Sequence, residues 1–151
     1  MPRSLRKVVR EHETLAGFGV DGTSPESVRR LNRWHRHAQG QLIYIGARHF
    51  HIRTDFGAWL FPPQRAVWIP PDLMHWGELK GVKTGANILL APTYCQTLPD
   101  RPQVLSVGRL FEALIHRVAG WRKDVVTSPE EEHVMAVLID EVRAARHEPL
   151  H

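Results

Sequence analysis

The sequence predicts a mainly β domain, a barrel or sandwich of antiparallel strands, followed by two α-helices. Between Val28 and Ala91, short runs rich in β-branched and aromatic residues alternate with Gly, Pro and Asp. After Pro102 the apolar residues recur instead at helical spacing. A chain of 151 residues, 42% hydrophobic and 24% charged, has the size and composition of a single soluble domain with a real core. Residues 1–151 therefore read as one domain, with the barrel over about 28–100 and a helical appendage over about 103–147.

The strands fall at Gln41 to Ile45, Arg48 to Thr54, Ala58 to Phe61, Ala66 to Ile69 and Gly85 to Ala91. In Arg48-His49-Phe50-His51-Ile52-Arg53 polar and apolar residues alternate, so Phe50 and Ile52 face inward and His49 and His51 face solvent. Thr54-Asp55-Phe56-Gly57 supplies the turn into the next strand. The first helix is predicted from Val104, Val107, Phe111, Leu114, Ile115 and Val118, with Gly120 as its stop. The second opens at Ser128-Pro129-Glu130-Glu131, where Ser128 caps, Pro129 takes the first helical position and Glu131 closes a capping box. Val134, Val137, Leu138, Glu141 and Val142 form its mostly apolar stripe.

Several function classes are disfavoured at once. No apolar run approaches the roughly 18 residues needed to cross a bilayer. Met1 to Arg10 is basic but lacks the apolar stretch of a signal peptide, which predicts a cytoplasmic protein with no membrane partner. Cys95 is the single cysteine, so no internal disulfide exists. The net charge is +4, yet Lys and Arg are dispersed. The local clusters Arg3 to Arg10 and Arg29 to Arg33 lack interleaved aromatics, so they read as solvated segments and not as a nucleic-acid surface.

The chemistry is concentrated in His35-Arg36-His37-Ala38-Gln39-Gly40-Gln41, answered by Trp68-Ile69-Pro70-Pro71-Asp72-Leu73-Met74-His75. In an extended strand His35, His37 and Gln41, separated by even steps, share a face. His75 follows the turn signal Pro70-Pro71-Asp72 and begins a new strand of the same barrel. Three imidazoles and an amide suit a divalent transition metal such as Zn, Ni, Mn or Fe. The other reading of the same residues is a polar barrel lumen in which the histidines only form hydrogen bonds. Trp34, Trp59, Trp68 and Trp76 also fall in the β region. Trp68, in an apolar strand, reads as packing. Trp34 and Trp76 flank the histidines and, with the Tyr44 hydroxyl, form the candidate effector pocket.

His35-x-His37 with Gln41 four residues on, and Pro70-x-Asp72-x-x-His75, resemble the two motifs of the cupin fold, a double-stranded β-helix or jelly-roll barrel. Gln41 stands where metal cupins usually have Glu, and Asp72 where Gly is usual. A wider resemblance runs through Trp34 to Tyr44, Phe61-Pro62-Pro63-Gln64-Arg65-Ala66-Val67-Trp68-Ile69-Pro70, His75 and the two helices. This pattern resembles the amino-terminal sensing and dimerisation domain of AraC-family transcriptional regulators. The resemblance implies a domain that senses a small-molecule or metal effector and forms a homodimer through its carboxy-terminal helices. In that family DNA is bound by a separate carboxy-terminal helix-turn-helix module. No segment here supplies a recognition helix, so this chain is expected to meet DNA only through a module it does not contain. The expectation is a regulatory domain and not an enzyme. The alternative is a metal-dependent cupin enzyme of oxygenase or isomerase type.

Overall fold

The computed structural model describes residues 33–46, 50–78, 85–121 and 128–148. The predicted barrel start near Val28, the basic cluster Arg3 to Arg10, most of the cluster Arg29 to Arg33 and His49 lie outside the described residues. Among the described residues, eight strands and two α-helices follow in chain order, with a single 3-10 turn at Pro92–Tyr94 between the sixth and seventh strands: β1 (Gly40–Ile45), β2 (Phe50–Thr54), β3 (Gly57–Phe61), β4 (Arg65–Ile69), β5 (His75–Glu78), β6 (Gly85–Leu90), β7 (Gln103–Ser106), α1 (Arg109–Ala119), α2 (Pro129–Ala144) and β8 (His147–Glu148). The strands form two antiparallel sheets, one in the order β6-β1-β4-β7-β8 and one in the order β3-β2-β5. The fold is thus mainly β, a jelly-roll-like sandwich with two carboxy-terminal helices, as the alternation of runs and turns predicts.

Side-chain alternation divides the core in two. Ile43 and Ile45 of β1 meet Val67 and Ile69 of β4, Val104 of β7, and Ile52 and Trp59 of the smaller sheet, which joins the two sheets face to face. Leu42 and Tyr44, on the other face of β1, pack with Ala66, Trp68, Ile88 and Leu105 against Phe111, Ile115 and Val118 of α1 and Met135, Leu138 and Val142 of α2. β1 and β4 are therefore buried on both faces. That is why Leu42-Ile43-Tyr44-Ile45 and Ala66-Val67-Trp68-Ile69 run apolar without alternation. Ile52 is fully buried and His51 half-buried, in keeping with the alternation read in β2.

Among the described residues, three turn positions have positive φ: Gly57, Gln64 and Asp72. Gly57 adopts φ 141° at the start of β3, a conformation only glycine takes without strain, after Thr54 Oγ1 has accepted the Phe56 N–H at 3.0 Å. Gly40 is constrained by space instead. A Cβ there would lie 2.3 Å from Trp68 Cη2 and 2.8 Å from Cys95 Sγ, so β1 lies directly against the indole.

The helical half departs from expectation in three places. Val104 lies in β7, opposite Val67, and α1 begins only at Arg109. Its match to the helical period arose because β7 and the two-residue link before α1 happen to place apolar residues at compatible intervals. In α2 the buried residues are Met135, Leu138 and Val142, while Val137 is 40% exposed. The apolar run Val134 to Ile139 continues around the helix, so its spacing alone did not fix which face is covered. His147, assigned to the appendage, belongs to β8 and pairs with Leu105 of β7. Glu148 beside it forms an ion pair with Arg65 that fastens the tail to β4. Among the described residues no helix is long and apolar enough to cross a membrane.

The capping box forms as predicted. Glu131 N–H donates to Ser128 Oγ at 3.1 Å and Ser128 N–H donates to Glu131 Oε1 at 2.9 Å. Replacing Ser128 by Ala is expected to lower stability by about 1 kcal/mol. The check is the urea midpoint, and an unchanged midpoint contradicts the role given to this cap.

Candidate metal centre

The convergence of His35, His37, Gln41 and His75 occurs, but by a different backbone route from the single strand expected. β1 begins at Gly40, so His35 and His37 precede it. His35 instead pairs with His75 as an isolated antiparallel bridge, through N–H to O bonds of 3.0 and 2.9 Å in the two directions. The Asp72 N–H donates to the His37 carbonyl at 2.8 Å. Asp72 reaches it with φ 63°, a left-handed turn position that Gly, Asn and Asp occupy most readily. The segment before β1 is thus pinned to the start of β5, and the three rings follow.

The imidazoles form a compact cluster. Ring centroids lie 4.2 Å apart for His35 and His75, 5.1 Å for His37 and His75, and 5.7 Å for His35 and His37. One ring nitrogen of each lies within 4.8 Å of the others. His75 is fully buried; His35 and His37 are half-buried.

Their outer nitrogens are committed. Nδ1–H of His35 donates to the Arg33 carbonyl at 2.6 Å, that of His37 to the Gln39 carbonyl at 2.8 Å, and that of His75 to the Leu73 carbonyl at 2.8 Å. A carbonyl oxygen only accepts, so a neutral ring that makes this bond carries its proton on Nδ1 and presents its Nε2 as a lone pair. Gln41 Oε1 lies 3.0 Å from Nε2 of both His37 and His75. The amide is oriented by its own Nε2–H, which donates to Asn87 Oδ1 at 2.7 Å. Gln41 and Asn87 are both buried. With the rings neutral, Oε1 and the two Nε2 atoms direct lone pairs toward one another, an arrangement that a shared cation satisfies. Protonation is the other remedy, and burial opposes it. It drives the His75 pKa down to about 4 against the Leu73 carbonyl bond that favours charge, with His35 and His37 adding repulsion. Burial lowers His35 also, aided by the charges of His37 and Arg33.

The donor set therefore fits a divalent transition ion: three neutral imidazoles with carbonyl-anchored Nδ1–H groups and one amide oxygen. Sequence reading missed Asn87, although an isolated amide within Ala86-Asn87-Ile88-Leu89-Leu90 is a visible irregularity in an apolar strand.

The aromatic residues expected to form an effector pocket do not gather at the histidines. Trp34 is 48% exposed. Trp76 alternates with His75 along β5 and lies beside Arg53 and His51, away from the barrel interior. Tyr44 is three residues from Gln41 on β1 and so occupies the opposite face, where its hydroxyl donates to Glu112 of α1 and its ring meets His116 edge-on. The tryptophan that does face the interior is Trp59, whose buried indole N–H meets no hydrogen-bond acceptor among the described residues.

The chain is similar to the HTH-type transcriptional regulator NimR of Escherichia coli (strain K12), with 25% identity over 142 residues. The match covers 94% of this chain and 50% of the relative, so the chain spans about half the length of the curated relative it matches. No protein-family model matches. The similarity supports a regulatory role.

The buried neutral His75 makes stability depend on pH with a definite sign. The unfolded ring ionises near 6.5 and the folded ring near 4, so between those values the unfolded chain binds the extra proton. Stability is expected to fall as pH drops through that window, by about 3 kcal/mol in all from this group. Urea midpoints of chelator-treated protein between pH 7 and pH 4 should show the decline, and His75→Asn should flatten it. An equal decline in the variant would assign the loss to other groups.

Proposed function

We propose that this chain is the cupin-like sensing module of an AraC-type transcriptional regulator, and that its signal is received at a divalent transition ion held by His35, His37 and His75. Gln41 Oε1 is the fourth protein donor. The observation that carries this reading is the convergence of the three rings, each with Nδ1 held by a backbone carbonyl, so that one ring nitrogen of each lies within 4.8 Å of the others. Similarity over half the length of a helix-turn-helix regulator supports the regulatory part. In the intact regulator a separate module meets DNA, and α1 and α2 pair two copies of this domain. Leu110 of α1, 56% exposed, and Val137 of α2 offer apolar surface for that pairing.

A bound ion supplies Lewis-acid positions at which ligands exchange. The residues hold and orient it. Carbonyls of Arg33, Gln39 and Leu73 set the ring tautomers, and Asn87 turns the Gln41 oxygen toward the rings. Metal-enzyme chemistry asks in addition for a positioned acid or base. Glu78 follows His75 by three residues on β5 and projects from the other face, while Asp72 is exposed in its turn. This favours a sensor over the oxygenase or isomerase reading.

The full chain, stripped with chelator and titrated, should take up about one equivalent of Zn²⁺ or Ni²⁺ and gain thermal stability, by about 2.7 kcal/mol when free metal is at a hundred times Kd. His35→Ala and His75→Ala should abolish uptake. Asn87→Ala should weaken it about tenfold or more by releasing the Gln41 amide. Metal analysis and calorimetry read each result. A chain that neither binds nor is stabilised by Zn²⁺, Ni²⁺, Mn²⁺ or Fe²⁺ refutes the metal part of the proposal.

A further inference from the structure

The donors gathered at the centre carry no charge of their own. Among the described residues the metal-capable group is His35, His37 and His75, without a carboxylate or a thiolate. The fourth donor, Gln41, is held as an amide. Its Nε2–H donates to Asn87 Oδ1 at 2.7 Å, which turns Oε1 toward Nε2 of His37 and His75 at 3.0 Å each. A carboxylate at this position has no proton to give Asn87 and would need the Asn87 amide reversed. The buried pair Gln41 and Asn87 thus keeps negative charge out of the place where it would meet an ion most directly. Asp72 reaches His37 through its backbone N–H and is exposed, and Glu78 projects from the other face of β5. The side-chain charge that acts on the cluster from outside is positive, since the Arg33 guanidinium helps to disfavour a proton on His35.

A bound ion therefore keeps its full charge in a site where His75 and Gln41 are buried. The cost of holding charge away from water rises with the square of that charge, so each further unit costs disproportionately more. An anionic donor offsets the rise and a neutral donor does not. For an ion with two oxidation states, four neutral donors consequently bind the lower state relatively better than a site with a carboxylate does. By linkage, the ratio of the two affinities is also the shift in the reduction potential of the ion.

We infer that Gln41, oriented by Asn87, sets the charge state the centre accepts: a redox-active ion is held in the lower of its two oxidation states, Fe²⁺ in preference to Fe³⁺ and Cu⁺ in preference to Cu²⁺. This rests on the metal reading above and adds to it a regulation of the same site. Two ions gain one electron each as two small-molecule thiolates join in a disulfide. In the reverse sense each ion loses one electron to dioxygen, which leaves as superoxide. No bond of the protein forms or breaks in either direction. Oxidation weakens the hold on the ion, so occupancy follows the redox state of the surroundings as well as the supply of metal.

Copper is the probe, because Cu²⁺ is read by electron paramagnetic resonance and Cu⁺ is silent. A site that takes Zn²⁺ takes Cu²⁺ also, by the general order of affinities. The full chain, stripped with chelator and given one equivalent of copper, is titrated with redox mediators at fixed pH. Gln41→Glu should lower the midpoint potential by about 59 mV or more, the equivalent of a tenfold change in the ratio of affinities for Cu²⁺ and Cu⁺. Asn87→Asp keeps an acceptor for the Gln41 amide and adds a charge without changing a donor to the ion. It should lower the midpoint in the same direction by less, and it carries the test alone if Gln41→Glu does not fold. His75→Ala should lose the signal of the bound ion. A Gln41→Glu midpoint at or above that of the parent overturns the inference while leaving the metal centre standing, as does a parent that binds Zn²⁺ but copper in neither state. An unchanged midpoint in Asn87→Asp overturns the role of charge. A bound-copper signal that persists in His75→Ala places the copper elsewhere and overturns the inference as well. Binding of no metal at all removes the metal reading and this inference together.

Discussion

Each histidine of the cluster gives its Nδ1 proton to a backbone carbonyl two residues away in sequence, to Arg33 for His35, Gln39 for His37 and Leu73 for His75. Those three bonds decide what the cluster can be. They favour the Nδ1–H tautomer of each neutral ring, set each ring plane from its own backbone, and turn Nε2 of His37 and His75 toward Gln41 Oε1. The backbone that carries them is itself fixed by the His35–His75 bridge and the Asp72 to His37 bond. Removing the bridge would free the rings, and removing the carbonyl partners would let the proton move to Nε2 and close the site to a cation.

β1 connects this centre to the rest of the fold. Gln41, Ile43 and Ile45 alternate toward the space between the sheets, and Leu42 and Tyr44 toward the helices. The same strand therefore presents an amide to His37 and His75 and, three residues on, a hydroxyl to Glu112 of α1. Close contact of Gly40 with Trp68 and Cys95 leaves β1 little room to shift. Burial pushes the Cys95 thiol up to about 11, so it stays protonated and serves as packing for this contact.

The sequence made the site legible through composition more than through geometry. His35, His37, Gln41 and His75 converge, yet the strand periodicity used to align the first three does not apply, because β1 starts at Gly40. A long-range bridge performs that alignment, and nothing local in His35 to Gln39 announces it. The alternation rule would have served better elsewhere. Applied to β5 it places Trp76 opposite His75, and applied to β1 it places Tyr44 opposite Gln41. Both residues were expected in the effector pocket from their proximity in sequence. The barrel strands and the Ser128 cap were readable because turn residues and a capping box are local signals. Val104 and the covered face of α2 were misjudged because apolar residues there satisfy more than one period, and only tertiary packing selects among them.

The central claim concerns where three protons reside, and nitrogen-15 NMR of the imidazoles in metal-free protein near pH 7.5 measures that directly. The account predicts that His35, His37 and His75 are all neutral and protonated at Nδ1, with Nε2 showing the shift of an unprotonated nitrogen that moves on adding Zn²⁺. Protonation at Nε2 in His37 or His75, with its hydrogen bond to Gln41 Oε1, would show instead a self-satisfied polar cluster and contradict the account.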